Sequence, residues 1–262
     1  MNEILILFTF MYMKVIKENN FEYIEEGKDE SVVLLHGLMG GLENFEHLKG
    51  ELIKLKLKVI APSLPIFENS IAKTNIKSLV NFLNKFLDYK NIKKTILLGN
   101  SLGGHLALVF GKKYPEKVSK MILTGSSGLY ENTMGDSFPR RGDYDYIKQK
   151  TKEVFYSPKM ATKELVDKVY EIANKNELTI RLVLMAKSAI RHNMSKDLPN
   201  INLPVCLIWG KQDSVTPPTV AEEFHSLIPN SDLFWIDKCG HAAMWEHPKE
   251  FAKIVKKWIS KQ

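Results

Sequence analysis

The stretch that decides the fold is TILLGNSLGGH, residues 95–105, in which a short apolar run leads into a glycine-rich turn and a helical pattern. Gly99, Ser101 and Gly103 fit the pattern G-x-S-x-G. In that pattern the serine sits on a sharp turn between strand and helix, and the glycines remove side chains that would clash where the two elements pass. A dinucleotide-binding turn needs a different glycine spacing after the first strand. The stretch therefore predicts that Ser101 is a nucleophile.

Working outward from this turn, short apolar runs alternate with helical patterns along most of the chain. The predicted strands lie at 32–35, 57–61, 95–98, 121–123, 205–209 and 233–236, after a hairpin over 14–26 that turns at Asn19 and Asn20. Nearly continuous Val, Ile and Leu are typical of parallel strands that are covered on both faces. Helical patterns over 76–87, over 101–114 and from Pro248 onward complete the alternation. We predict one α/β unit with a doubly wound, mostly parallel sheet.

This alternation breaks over residues 129–199, which contain helical patterns near 144–155, 162–174 and 177–192 but no strand pattern. The interval is too long for a simple connection. We therefore predict a helical cap, inserted between two parts of the core at 14–128 and 200–262, over the sheet edge where such folds bind ligands. In its third helix, the dense apolar residues of 178–186 predict more than one apolar side. We expect Met185 on that helix to line an acyl pocket above Ser101.

A serine nucleophile needs a base, and the base needs a group that orients it. His241 follows the last predicted strand, and Asp213 follows the strand before it, so both lie where the carboxyl ends of the strands meet. The chain order Ser, Asp, His agrees with this kind of site. Asp232 and Asp237 remain alternatives for the acid. The other histidines are predicted to be structural: His36, His47, His105, His192, His225 and His247.

Acyl transfer also needs donors where negative charge develops on the carbonyl oxygen. The first parallel strand ends in HGLMGG, residues 36–41, a turn that can aim a backbone N–H inward. We predict the N–H groups of Leu38 and Leu102 as the oxyanion donors, with Met39 as the alternative to Leu38. His36 is expected to tie this loop together. Because these groups supply nucleophile, base and donors, we expect no metal and no organic cofactor.

The amino-acid composition limits the kinds of partner and the location that we expect for the protein. The formal net charge is +7, but only four of the 37 basic residues are Arg, whose planar fork dominates phosphate and base recognition. We expect a small-molecule acyl substrate and no nucleic acid. Two cysteines cannot form a disulfide framework, so we expect a reducing, cytoplasmic location. The sequence leaves open whether the chain forms a homo-oligomer.

Residues 1–13 are an extension of uncertain status. Their apolar run at 4–13, ten residues that include one Thr and one Tyr, is too short to span a membrane. The extension is acidic at its start and lacks the small residues of a cleavage site. Three interpretations stay open: an edge strand or unstructured extension, a translation start at Met11 or Met13, and a weak secretion signal.

With these motifs in this order, residues 14–262 resemble the α/β-hydrolase superfamily with a helical cap. The segments GNSLGGH (99–105), YPEKV (114–118), CGH (239–241) and WEHP (245–248) are similar to the branch that contains the meta-cleavage product hydrolases. Those enzymes hydrolyse a carbon–carbon bond in ring-fission products of aromatic catabolism. The resemblance implies Ser101, Asp213 and His241 as a catalytic triad and Asn100 as a pocket residue.

Three departures separate the chain from that branch. Ala242 follows the histidine where an aromatic residue is usual, and the segment 171–177 has Lys175 but no Arg for a dienoate carboxylate, with Arg181 and Arg191 as stand-ins. The loop at 62–67 lacks the glycines and the acid that are common there. We therefore expect a serine hydrolase that cleaves a carboxylic ester of a small or medium acyl group. The alternatives are a carbon–carbon bond hydrolase and, in another class, a ligand receptor with weak turnover.

Overall fold

The computed structural model describes residues 14–131 and 140–261, and in this part of the chain eight strands form a single sheet. The strands are β1 (Val15–Glu18), β2 (Phe21–Glu26), β3 (Ser31–Leu35), β4 (Lys58–Pro62), β5 (Thr95–Asn100), β6 (Val118–Thr124), β7 (Val205–Gly210) and β8 (Ser231–Ile236). Their order in space is β1-β2-β4-β3-β5-β6-β7-β8. All pairs from β4 to β8 are parallel, whereas β1–β2 and β2–β4 are antiparallel. The predicted mostly parallel sheet is confirmed.

The hairpin turns where the sequence predicts it, at two asparagines. Asn19 and Asn20 have φ angles of 49° and 63°, a left-handed conformation that Asn tolerates better than most residues. The two strands pair in register from Val15 opposite Ile24 to Glu18 opposite Phe21. The hairpin therefore extends the parallel sheet at its β4 edge.

Nine α-helices lie within residues 14–131 and 140–261. They are α1 (Glu46–Lys54), α2 (Ile76–Tyr89), α3 (Leu102–Lys113), α4 (Tyr144–Glu153), α5 (Lys163–Asn174), α6 (Asn176–Arg191), α7 (Pro218–Leu227), α8 (Ala243–Glu246) and α9 (Pro248–Ile259). Alternate residues of β3 serve two separate cores: Val33 and Leu35 pack with α2, α3 and α7, while Val32 and Leu34 pack with α1, α8 and α9. Burial on both faces explains why the strands are nearly continuous in apolar residues.

Helices α4, α5 and α6 lie between β6 and β7, at the positions predicted for the cap helices. Helix α6 is apolar on two sides, as expected. Leu182, Met185 and Ala189 are buried, whereas Ile180 and Val183 on another side are 47% and 42% exposed. The extension at 1–13 and residues 132–139 of the predicted cap lie outside the described residues. None of the described helices is long and apolar enough to cross a membrane.

Candidate active site

Ser101 stands at the turn between β5 and α3 in a conformation that few side-chain-bearing residues adopt. Its φ and ψ are 54° and −120°. Such angles cost on the order of 1–3 kcal/mol and persist where the surroundings impose them. A Cβ on Gly99 would overlap the Gly103 carbonyl, and one on Gly103 would overlap the Leu35 carbonyl. The glycines thus let β5, α3 and the end of β3 meet closely enough to hold Ser101 at the carboxyl edge of the sheet.

His241 is oriented by Asp213. Its Nδ1 lies 3.0 Å from Asp213 Oδ2 and 3.2 Å from Oδ1. Both side chains are buried. Because Nδ1 faces the carboxylate, Nε2 is the ring nitrogen left for a reacting proton. Ser101 Oγ and His241 Nε2 form no hydrogen bond with each other among the described residues, and catalytic contacts of this kind often tighten only when a substrate binds.

Asp213 is held by donors from its own loop. The N–H groups of Val215 and Thr216 each donate to Oδ1 at 2.9 Å, and the Thr216 hydroxyl donates to Oδ2 at 2.8 Å. Trp209 Nε1 donates to the Thr216 carbonyl at 2.9 Å, which fixes this loop to β7. These donors hold the carboxylate in one orientation. The arrangement therefore fixes the position of Asp213 against His241 Nδ1.

The pKa of His241 is raised above its ordinary value. Burial alone lowers it, but the Asp213 charge and its hydrogen bond raise it, and the Glu131 carboxylate raises it further, so that the net direction is upward. A protonated imidazole is thus stabilised, as a base that must take and return a proton requires.

Asn100 connects the nucleophile to the histidine loop. Its Nδ2 donates to the Thr124 carbonyl at 3.0 Å and to the His241 carbonyl at 3.2 Å. The Ser101 N–H donates to the same Thr124 carbonyl at 3.2 Å. Both amide hydrogens of the buried Asn100 are therefore used within the protein. Only the Oδ1 atom of Asn100 remains available for the predicted contact with a substrate.

Leu38 and Met39, two of the predicted oxyanion donors, lie in the loop after β3, and the third, Leu102, follows Ser101 as the first residue of α3. A Cβ on Gly37 would lie 3.3 Å from Ser101 Cβ, so the loop that carries Leu38 passes directly over the nucleophile. Within the described residues, the backbone N–H groups of Leu38, Met39 and Leu102 donate to no acceptor. They stay predictions for the oxyanion, with the choice between Leu38 and Met39 still open.

His36 ties this loop to the segment after β4, as predicted from the sequence. Its Nδ1 lies 2.9 Å from the Gly37 carbonyl, and the Leu64 N–H donates to its Nε2 at 2.9 Å. That pattern requires a neutral ring with the proton on Nδ1. Burial first of all lowers the pKa of His36 to about 4, in agreement with this neutral form.

A family model described as the alpha/beta hydrolase fold matches residues 30–158 and 162–248. The chain belongs to this family. The hydrolase also has named relatives over most of its length. A 2-hydroxy-6-oxononadienedioate/2-hydroxy-6-oxononatrienedioate hydrolase of Comamonas testosteroni is 27% identical in an alignment of 252 positions that covers 88% of each chain. A 2-hydroxy-6-oxo-6-phenylhexa-2,4-dienoate hydrolase of Burkholderia cepacia is 26% identical in an alignment of the same length, which again covers 88% of each chain.

Among solved structures, an alpha/beta hydrolase enzyme from the metagenome of sediments of the Mar Chica lagoon, Morocco, is 42% identical with a TM-score of 0.79. The match covers 94% of this hydrolase and 98% of that chain. The dienoate hydrolase relatives confirm the resemblance to the meta-cleavage branch. Both named relatives are dienoate hydrolases, whereas the sequence predicts an ester hydrolase as the first choice.

The alternative acids are used elsewhere in the hydrolase. Asp232 accepts a hydrogen bond of 2.8 Å from Trp258 Nε1, and Asp237 is exposed and lies 3.7 Å from Lys211 Nζ. Neither bonds to His241 in the described structure. His192 was predicted within the third cap helix, but it caps that helix, because α6 ends at Arg191.

Two of the three basic side chains considered as partners for a substrate carboxylate are paired within the protein. Arg181 Nε donates to the Asn69 carbonyl at 2.8 Å, and its Nη1 pairs with Glu177 at 2.8 Å. Lys175 pairs with Glu171, and Arg191 is exposed. Met185 is fully buried in the same core as Leu102, and its place beside an acyl group stays a prediction.

Three groups near the site were missed from the sequence. Thr216 completes the bonds to Asp213, and Asp-x-x-Thr is a recognisable pattern in which an Asp side chain accepts from its own loop. Glu246 accepts from the N–H groups of Gly240, at 2.7 Å, and Ser157, at 3.0 Å, so it joins the histidine loop to the α4–α5 connection. The third is Glu131, for which no local pattern exists.

The site contains no evident metal centre among residues 14–131 and 140–261. No three His, Cys, Asp or Glu side chains in this part lie together as metal ligands would. Cys239, next to the histidine loop, is buried, and burial raises the pKa of its thiol.

Proposed function

We propose that this hydrolase uses Ser101 to attack a carbonyl carbon, with a carbon–carbon bond of a 2-hydroxy-6-oxo-dienoate as the first candidate for cleavage and a carboxylic ester as the second. The observation that carries the chemistry is the pair of contacts at 3.0 and 3.2 Å between His241 Nδ1 and Asp213, beside a serine on a strained elbow. We place the dienoate first because the named relatives are dienoate hydrolases.

In the proposed reaction His241 removes the hydroxyl proton of Ser101 as Oγ attacks the carbonyl carbon. Asp213 holds the ring and stabilises its positive charge without taking its proton. Backbone N–H groups of Leu102 and of Leu38 or Met39 bind the oxyanion. His241 then donates this proton to the leaving carbon or oxygen, while the acyl group stays on Ser101. In the second half, His241 takes a proton from a water molecule that attacks the acyl carbon, and it returns the proton to Ser101 Oγ as the acid leaves.

One observation favours the ester as a second candidate. A dienoate carries a carboxylate that needs a cationic or hydrogen-bonding partner, because burying an unpaired charge is costly. Of the three basic side chains considered for that partner, Arg181 and Lys175 are paired with Glu177 and Glu171, and Arg191 is exposed. An uncharged ester needs no such partner.

The test compares kcat/KM for p-nitrophenyl acetate, butyrate and hexanoate with kcat/KM for 2-hydroxy-6-oxo-6-phenylhexa-2,4-dienoate, in the wild-type protein and in Ser101→Ala. We expect the wild-type protein to turn over esters, the dienoate or both, and Ser101→Ala to turn over neither. Higher efficiency on the dienoate supports the first candidate, and higher efficiency on an ester supports the second. Turnover that survives in Ser101→Ala would contradict the proposed chemistry.

A further inference from the structure

The loop that follows β6 packs against both proposed reacting residues. A Cβ on Gly125 would lie 2.7 Å from His241 Nδ1, so the backbone of this loop touches the imidazole. Two residues later, the Ser127 N–H donates to the Ser101 carbonyl at 3.1 Å. Residues 125–131, called here the β6 loop, therefore form one wall of the site.

This wall carries an acid that the proposed chemistry does not use. The buried Ser127 hydroxyl donates to Glu131 Oε2 at 2.8 Å, so the carboxylate is held on the residue that contacts the nucleophile. Glu131 is half-buried and takes part in none of the ion pairs found among the described residues. Its charge acts on His241, whose pKa it helps to raise.

A carboxylate without an ion-pair partner among residues 14–131 and 140–261 would repel a negatively charged substrate group placed beside it. The repulsion between two like charges grows as they approach and as the surroundings become less polar, and salt screens it. The acyl group stays bound to Ser101 through both halves of the reaction, so a charge on it stays near the β6 loop throughout. A charge on the leaving group matters in the first half alone.

We propose that Glu131 is a specificity-determining residue that disfavours acyl groups with a carboxylate and favours uncharged or cationic ones. The proposal rests on the proposed function, since it takes Ser101 as the acyl carrier. It applies to both candidate reactions. Among dienoates it predicts preference for an uncharged group, such as phenyl, on the reacting ketone over one that ends in a second carboxylate.

The experiment measures charge selectivity, defined as kcat/KM for p-nitrophenyl hexanoate divided by kcat/KM for mono-p-nitrophenyl adipate. The same ratio is measured for 2-hydroxy-6-oxo-6-phenylhexa-2,4-dienoate against 2-hydroxy-6-oxononadienedioate. Glu131→Gln keeps the size of the side chain and removes its charge, and we expect the ratio to fall about tenfold at low salt. In the wild-type protein, 1 M NaCl should lower the ratio in the same direction.

Glu222→Gln is the matched control, because Glu222 is an exposed carboxylate on α7 and the substitution changes net charge equally. Its ratio should stay within about twofold of the wild type. Circular dichroism checks that Glu131→Gln is folded, and Ser127→Ala, which frees the carboxylate, provides a second variant with a smaller expected fall. A ratio in folded Glu131→Gln equal to that of the wild type overturns the proposal.

Labelling rates separate this proposal from the proposed function. Neutral and carboxylate-bearing p-nitrophenyl alkylphosphonates react with a serine nucleophile without needing turnover. If Ser101 labels and Glu131→Gln leaves the neutral-to-anionic rate ratio unchanged, the specificity proposal alone is wrong. If neither reagent labels Ser101, the proposed function is wrong, and the specificity proposal is overturned with it.

Discussion

Replacing Asn100 with Ala tests whether this residue positions the site or contacts the substrate. The family resemblance implies a substrate contact, whereas the structure gives both amide hydrogens to backbone carbonyls, at 3.0 Å to Thr124 and at 3.2 Å to His241. The two roles predict different changes in stability and in kinetics.

The magnitude follows from what each carbonyl loses. The Thr124 carbonyl keeps the Ser101 N–H as a donor, so its loss is small. The His241 carbonyl loses the side-chain donor, and a buried polar group without a partner costs about 1–3 kcal/mol. With the small cavity left by the amide, we expect Asn100→Ala to lower the free energy of unfolding by about 2–3 kcal/mol. A histidine loop displaced by about 1 Å would lower kcat on the order of a hundredfold.

Urea unfolding at pH 7 and steady-state kinetics on the best substrate measure both effects. Asn81→Ala is the control, since Asn81 is exposed on α2 and its replacement should change stability by no more than about 0.5 kcal/mol. We expect kcat to fall with KM within about threefold of the wild type. A KM raised tenfold or more, with kcat and stability unchanged, would refute the positioning argument and identify Asn100 as a substrate contact.

Three further predictions concern the acid, a buried histidine and the acyl pocket. Asp213→Asn should lower kcat about ten-thousandfold by favouring the wrong imidazole tautomer, as the same substitution does in the triad of trypsin. Asp237→Asn, at an exposed position, should leave kcat unchanged. The reverse result in the two variants would reassign the acid. Burial first, and then the charge of His192, lowers the pKa of His105 to about 3, so the folded state stays neutral while the unfolded state gains a proton below pH 6.5. The free energy of unfolding of the wild type should therefore fall as the pH drops below 6.5. In urea titrations, the difference in this free energy between His105→Leu and the wild type should be ~2 kcal/mol larger, in favour of the variant, at pH 5 than at pH 7. An equal difference at both pH values would disprove this. If Met185 lines an acyl pocket, kcat/KM should rise from acetyl to butyryl to hexanoyl esters, by up to about fourfold per methylene, and a flat series would contradict it.

The sheet and the elbow were predictable because their signals are local. Strand length, apolar continuity and the glycines around Ser101 all lie within a few residues of the element that they specify. Gly99 and Gly103 are required by overlaps with nearby backbone, which the G-x-S-x-G pattern encodes directly. Helix boundaries in the predicted cap were also close, because caps such as Thr162, whose side chain accepts from Leu165 N–H, have a sequence signature.

The links between loops were not predictable in the same way. Glu246 bonds to Gly240 and Ser157, and the Val154 carbonyl accepts from His241 N–H at 2.9 Å, so the cap-side segment is fixed to the histidine loop. These contacts join residues that are up to 89 positions apart. Nothing in the spacing of a single sequence indicates which distant carboxylate faces which N–H. For the same reason Glu131 emerged from the structure alone.

The central claim, that Ser101 is the nucleophile, is tested most directly by mass spectrometry of the protein after reaction with a fluorophosphonate. We predict a single adduct on the peptide that contains Ser101, formed in the wild-type protein and absent from Ser101→Ala. An adduct on Ser126 or Ser127, or one that persists in Ser101→Ala, would contradict the account.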